Sequence, residues 1–480
     1  MCKDSNFGRL QLLLLLIVLF CFGLSRLPDT LSGYTIRKVD LLSDLRPERL
    51  PEPIPTDSLD DFLALADSLK SDSVAMNDSI AREMRHIAQR DSLYKVLYAS
   101  NEADSLGSKI EDYSAGRSGL KHFFSALARR DELGRPVRIA FLGDSFIEGD
   151  ILVGDLRQQL QQEFGGRGVG FVPVSSVAAQ FRPTVRQTSE GWKTRSMLTD
   201  KQTGYTLPGM VFEAQGECST VSVQAGDRYA NLQPVSTLRF FYETRDEATL
   251  HLICNDGSDT LSTRLPATGA LSVFEHRGHI SAAEFSLSHG EGLRALGVAM
   301  EDNQGIVVDN FSLRGNSGLI LDRLDPESCR SFNRVREYDL IVLQYGLNVV
   351  NDTVMQYGWY SRRMINNIQH IRTCFPQADI LLLGVSDRSR QRDGQFETMP
   401  AVMALLNAQR QVARKSGVAF WDLFGAMGGR NSMVRYVANN WASKDYTHLS
   451  FRGGRELADA LVNALLSEKE FYDTAQEMAY

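Results

Sequence analysis

Residues 137–150 read VRIAFLGDSFIEGD. An apolar run ends on Gly143, and Asp144 and Ser145 break the polarity at once. A serine at the tip of a buried strand is either a helix N-cap or a nucleophile. As a nucleophile it needs a neighbouring imidazole to take its proton. The stretch Asp445-Tyr446-Thr447-His448 offers one, with a carboxylate placed to reach back to Nδ1 and hold the ring in one tautomer. That is the chemistry of acyl transfer, which also needs preorganised donors for a tetrahedral oxyanion. The backbone N–H groups of Ser145 and Gly318 and the side-chain amide of Asn348 are the candidates. Gly318 closes Arg314-Gly315-Asn316-Ser317-Gly318, and Asn348 closes Gly346-Leu347-Asn348. Each short motif is common alone; their order and shared location give them weight. The elbow G-x-S-x-G is absent around Ser145, which disfavours the α/β-hydrolase fold.

All four pieces fall at the carboxyl ends of predicted strands, where open α/β sheets build their sites. Residues 119–131 read as a helix leading into the strand Val137–Leu142, and Ile151–Phe164 as the helix after the serine. The N-terminal amides of that helix are expected behind Ser145. From about 185 to 312 the pattern changes to short alternating runs: 237–243, 249–255, 280–288 and 305–313, punctuated by turn residues. This is an antiparallel sandwich pattern. Near-continuous apolar strands then return at 339–346, 379–385 and 418–424, alternating with helices at about 357–374 and 399–416. The fold class is therefore α/β, a parallel sheet with helices on both faces, interrupted by an inserted antiparallel β-sandwich. The expected organisation is a signal or anchor segment at 1–26, a stalk at 27–115, catalytic halves at 116–184 and 313–480, and the insert at 185–312.

The chain has 480 residues, 43% of them hydrophobic, enough for two or three packed domains. Its net charge of −7 argues against nucleic acid as a partner. That acidity concentrates between Pro51 and Tyr113, which hold 13 acidic and 6 basic residues. Residues 10–24, LQLLLLLIVLFCFGL, follow Lys3 and Arg9. The run is short for a membrane span of about 20 residues and suits an export signal. No small-residue cleavage site follows, so the segment is expected to remain as an inner-membrane anchor, with the chain in the periplasm or cell envelope. In the stalk an Asp-Ser-aliphatic unit recurs at Ser58, Ser68, Ser73, Ser79, Ser92 and Ser105. These are either caps of short helical turns or acceptors, resembling the Asp-Ser/Thr-aliphatic pattern of bacterial O-glycosylation. Cys218, Cys254, Cys329 and Cys374 show no metal spacing; Cys218 and Cys254 either pair or remain free thiols.

The four blocks resemble those of the SGNH (GDSL-type) hydrolases. That resemblance implies a flavodoxin-like sheet, Ser145 as nucleophile, Gly318 and Asn348 as oxyanion donors, and Asp445 with His448 completing a triad. Three longer stretches, 149–173, 307–318 and 424–454, resemble the peptidoglycan O-acetylesterase-like branch. In that branch a carbohydrate-binding-like β-domain also splits the catalytic domain. The implied activity is hydrolysis of O-acetyl esters on an envelope glycan, peptidoglycan preferred, with no metal or organic cofactor. An O-acyltransferase using the same triad, and a non-catalytic glycan-binding protein, are the alternatives. Phe146, Leu347 and Val349 depart from the family's usual neighbours, which bears on substrate identity. Three further signals stand outside the blocks. GGRGVG at 165–170 reads as a flexible turn near the site's rim rather than a phosphate cradle. Arg388, Arg390 and Arg392 either lie on a solvated loop or meet an anionic glycan or lactyl group. Of the tryptophans, Trp421 reads as core and Trp441 as the better pocket candidate.

Overall fold

The computed structural model describes residues 109–477, apart from 201–203 and 217, together with the backbone at 30–31 and 34–35. Contacts divide the chain into two units, Met1–Ile80 and Ala81–Tyr480. In the first, Thr30–Leu31 pairs antiparallel with Tyr34–Thr35. The apolar segment at 10–24 and the six Asp-Ser units lie outside the described residues. Among the described residues no helix is long and apolar enough to cross a membrane.

The second unit opens with β1 (Ile110–Asp112), α1 (Lys121–Ala128), β2 (Val137–Gly143) and α2 (Val153–Phe164). Every residue of β2 is buried, as a strand covered on both faces requires. The chain then leaves for the sandwich. Its strands are β3 (Gly170–Pro173), β4 (Val185–Glu190), β5 (Trp192–Ser196), β6 (Met210–Ala214), β7 (Cys218–Ala225) and β8 (Val235–Glu243), then β9 (Ala248–Cys254), β10 (Asp259–Leu265), β11 (Ser272–Ile280), β12 (Ala282–Ser288) and β13 (Arg294–Glu301). One sheet runs β11-β8-β13-β6-β5, with β3 also on β13; the other runs β10-β9-β12-β7-β4. Alternate residues of β7 and β9 point inward, so Val221, Val223, Leu250 and Leu252 meet Phe240 and Phe285 in a core of their own.

The chain returns through β14 (Ile306–Ser312), α3 (Pro326–Arg336), β15 (Leu340–Gln344), α4 (Gly358–Cys374) and β16 (Asp379–Leu383). A hairpin, β17 (Ser389–Arg392) and β18 (Gln395–Thr398), precedes α5 (Pro400–Ser416) and β19 (Ala419–Trp421). Two short helices, α6 (Leu423–Ala426) and α7 (Ser432–Ala438), lead to the long C-terminal α8 (Phe451–Glu477). Local chemistry fixes the ends. The Asp325 carboxylate accepts the Ser328 N–H at 2.7 Å to cap α3, and Pro326 opens that helix.

The main sheet runs β14-β2-β15-β16-β19-β1, parallel except for the edge strand β1. Counted along the chain, its five parallel strands lie in the order 2-1-3-4-5, that of a flavodoxin-like sheet. The order reverses between β2 and β15, and their carboxyl ends carry Ser145 and Asn348. The run 305–313, expected in the sandwich, instead forms β14 beside β2, from Ile306 opposite Val137 to Ser312 opposite Gly143. Its first six residues are all buried, two of them polar: Asp309 and Asn310 break the apolar run and give it an alternating look. Conversely β3, placed by sequence in the catalytic half, pairs with sandwich strand β13.

Two buried polar networks tie these layers together. Glu301 of β13 accepts from Arg138 of β2 at 2.9 Å and Arg336 of α3 at 2.8 Å, and from Arg239 of β8. Asp309 of β14 takes Arg336 and the Tyr338 hydroxyl, both at 2.6 Å, and the Phe171 N–H at 2.7 Å. GGRGVG is packed rather than loose, and it sits at the opposite end of the sheet from Ser145. A Cβ on Gly166 would stand 2.9 Å from the backbone of Ile306, and one on Gly168 2.2 Å from Met300 O. Both glycines hold a positive φ, so backbone lies directly on backbone there.

Candidate active site

Ser145 follows the carboxyl end of β2 but does not cap a helix. The next α-helix starts only at Val153, after a turn that includes the single-turn helix Glu148–Asp150. The expectation of helix amides behind the serine is therefore corrected. Phe146 and Ile147, both fully buried, pull the chain back into the core instead. Asp150 fixes the far side of the turn. Its carboxylate receives Arg157 at 3.1 Å, Arg182 at 2.9 Å and Asn310 at 2.8 Å, and also the Thr184 hydroxyl. Burial alone would raise its pKa, but the two guanidinium groups hold it far below the carboxylate range. Asn310 also donates to Ile147 O at 3.0 Å. Ser145 thus rides on a turn bolted to β14 and α2.

His448 lies in the loop before α8. Its Nε2 is 3.0 Å from Ser145 Oγ and its Nδ1 is 2.7 Å from Asp445 Oδ2. Asp445 Oδ1 accepts the backbone N–H groups of Thr447 and His448, each at 3.0 Å, and the Ser443 hydroxyl. Partial burial works to raise the Asp445 pKa, but the bonds from Ser443 and His448 drive it well below its ordinary value. The carboxylate therefore stays ionised and orients the imidazole. Tyr446 turns the loop with φ +55, which lets Asp445 face back to His448. The histidine side chain keeps 38% of its exposure, so the pair opens onto solvent.

The oxyanion candidates are arranged differently from one another. The Ser145 N–H makes no hydrogen bond to the described residues. Asn348 is held with both amide hydrogens engaged, one on Asp144 Oδ2 at 3.0 Å and one on Asn316 O at 2.9 Å. The Gly318 N–H is taken by Asn316 Oδ1 at 3.0 Å, and its carbonyl accepts Asn367 at 2.8 Å. Gly318 has φ +77, and a Cβ there would stand 2.7 Å from the Tyr345 ring. Of the three candidates, only the Ser145 N–H is unengaged among the described residues; the donors of Asn348 and Gly318 already hold protein acceptors.

Sequence reasoning missed two components. One is Asp144, fully buried beside Ser145, which accepts from Asn348 and from the Phe146 N–H at 2.9 Å. Burial raises its pKa to about 6 against the pull of these donors and of nearby His448. The other is the β17–β18 hairpin. Ser389 N–H donates to Tyr446 O at 3.1 Å, and the Phe396 ring stacks on Tyr446 with centroids 3.6 Å apart. Arg388 donates to Leu347 O at 3.3 Å, and Arg390 to Asp352 at 3.0 Å. The hairpin thus bridges the histidine loop and the Asn348 loop. Glu148 and Arg314 form an ion pair between the serine turn and the Gly318 loop.

Other candidates fall elsewhere. Phe146 is core rather than pocket lining, and so is Trp421. Trp441 packs edge-on against Tyr436, 5.3 Å between centroids. Cys218 and Cys254 are free thiols, so the possible pairing is not made; Cys329 and Cys374 are free as well. Cys254, Asp259 and His276 bring three ligand atoms within 4.8 Å at the sandwich edge, where His276 and Asp259 already satisfy each other at 2.7 Å.

No protein-family model matches the sequence, and no curated protein does. Solved structures do. The chain is similar to a peptidoglycan O-acetylesterase with a TM-score of 0.61 and 22% identity, over 75% of this chain and 99% of that one. It also matches a family two carbohydrate esterase from Cellvibrio japonicus (TM-score 0.25, 9% identity, 60% of this chain and 99% of that one) and an acetyl xylan esterase (0.26, 18%, 33% and 81%). The last two likenesses are too slight to carry an argument. The first establishes the fold: a parallel α/β sheet interrupted by an antiparallel β-sandwich.

Proposed function

We propose that this chain is a serine esterase that removes O-acetyl groups from a cell-envelope glycan, peptidoglycan preferred. The observation that carries the proposal is the unbroken relay from Ser145 Oγ to His448 Nε2 at 3.0 Å and from His448 Nδ1 to Asp445 at 2.7 Å. Similarity of fold to a peptidoglycan O-acetylesterase supports the substrate class. Export, with the apolar segment at 10–24 as membrane anchor, belongs to the same proposal, as does O-glycosylation of the stalk.

In this mechanism His448 Nε2 takes the Ser145 proton as Oγ attacks the acetyl carbonyl. The oxyanion meets the Ser145 N–H first, then hydrogens shared by Asn348 and Gly318. His448 returns its proton to the departing sugar oxygen, leaving acetyl-Ser145 and a free hydroxyl on the glycan. Water, deprotonated by His448, then releases acetate. Asp445 remains ionised throughout and stabilises the imidazolium.

The test is acetate release from O-acetylated peptidoglycan by the full chain and by Ser145→Ala. Wild type should release acetate and the variant should lose at least about a thousandfold in kcat. Release from neither, with p-nitrophenyl acetate cleaved by wild type alone, keeps the triad and rejects the glycan. No turnover of either substrate rejects the esterase.

A further inference from the structure

Of the three arginines on the hairpin segment, two are neutralised. Arg390 pairs with Asp352 at 3.0 Å and Glu397 at 3.3 Å, while Arg392 lies 3.8 Å from Asp393 and 3.9 Å from Glu397. Arg388 differs. Among the described residues its guanidinium has no carboxylate partner and makes one hydrogen bond, to Leu347 O at 3.3 Å. It is half-buried, and that bond fixes it to the residue preceding Asn348. Asn348 in turn touches Asp144, the neighbour of the nucleophile. A cation is therefore held beside the oxyanion loop with most of its five donors unused.

We infer that Arg388 is a substrate-binding residue that receives a carboxylate on the acetylated glycan. A guanidinium already anchored through one N–H presents the others in a fixed fork that matches a carboxylate in two contacts. A neutral acetylated sugar leaves this fork to water. The inference rests on the esterase reading above and narrows its substrate to acidic glycans. Two sources share the chemistry: the carboxylates of a peptide-substituted lactyl sugar, as in peptidoglycan, and a uronic acid.

The experiment is competition against p-nitrophenyl acetate turnover by the full chain, using three non-acetylated probes: a muropeptide, oligogalacturonate and neutral cellotetraose. Wild type should be inhibited more strongly by an acidic probe than by cellotetraose. Arg388→Gln should lower that acidic-to-neutral preference about ten- to a hundredfold, the worth of a lost charge-assisted bond. Arg388→Lys should restore part of it, and Arg392→Gln on the same hairpin should leave it unchanged. Whichever acidic probe carries the preference names the source. A preference unaltered in Arg388→Gln, or equal inhibition of wild type by all three probes, overturns the inference. If wild type turns over neither p-nitrophenyl acetate nor O-acetylated peptidoglycan, the esterase reading falls instead, and calorimetric titration of the same probes still decides the role of Arg388.

Discussion

Asp144 shows how a single residue sets both stability and chemistry here. Its carboxyl is buried, so its pKa rises to about 6 in the fold against about 4 in the unfolded chain. Between those values the native state binds more protons, and stability falls as pH rises. Each tenfold change in proton affinity is worth about 1.4 kcal/mol, so above about pH 6 the ionised group costs on the order of 2–3 kcal/mol. The ionised form is nevertheless the acceptor that positions the Asn348 amide. Asp144→Asn should therefore unfold at higher urea than wild type at pH 8 and at equal urea near pH 4. Its kcat on p-nitrophenyl acetate at pH 8 should fall about tenfold. Equal midpoints at pH 8 would mean that the buried charge carries no such cost. The grouping of Ser145, His448 and Asp445 was legible in the sequence because Asp445 and His448 lie on one loop and Ser145 ends an unmistakable strand. The role of Asp144 was not, because its partner Asn348 is distant in the chain and only the fold joins them.

At the scale of elements, four segments meet at the site, and the β17–β18 hairpin holds two of them in register. The histidine loop is closed by a single antiparallel bridge, Ala442 to Leu449, and its Tyr446 rests face to face on Phe396. The hairpin's other attachments, Arg388 to Leu347 and Arg390 to Asp352, fix it to the Asn348 loop. Removing the ring should let His448 drift relative to Ser145. Phe396→Ala is expected to lower kcat about tenfold with KM for p-nitrophenyl acetate nearly unchanged, because small displacements of a catalytic group are costly. The stability loss should be about 1 kcal/mol, the usual worth of an aromatic pair. A change in KM alone would show that Phe396 contacts substrate instead. The sequence foresaw the helices flanking this region, α4 and α5, within a residue of their ends, since apolar periodicity marks long helices well. It did not foresee the hairpin, whose eight strand residues are mostly polar. It misassigned β14 because Asp309 and Asn310 are polar yet buried, their partners supplied by Arg336, Tyr338, Asp150 and Ile147.

At the scale of the molecule, sandwich and α/β sheet are joined by charge. Glu301 comes from the sandwich, Arg138 and Arg336 from the α/β half, and all three side chains are buried. Burial alone would raise the Glu301 pKa, yet Arg336, Arg138 and Arg239 hold it down at about 2. The pair's stabilisation is thus present above the unfolded value near 4.5 and is lost as pH falls toward 2. Glu301→Gln removes the charge without changing the shape, and it leaves Arg138 without its carboxylate and Arg336 with Asp309 alone. Breaking a buried ion pair from one side costs about 3–5 kcal/mol. Urea unfolding of the variant at pH 7 should show that loss, and the deficit should shrink as pH is lowered from about 4.5 toward 3, where the unfolded chain takes up a proton that native Glu301 does not. Arg138, the partner of Glu301, lies on β2, the strand that delivers Ser145, so activity should decline at a lower temperature in the variant than in wild type. A deficit that stayed constant from pH 7 to pH 3 would assign the loss to packing and remove charge from the account of how the two layers hold together.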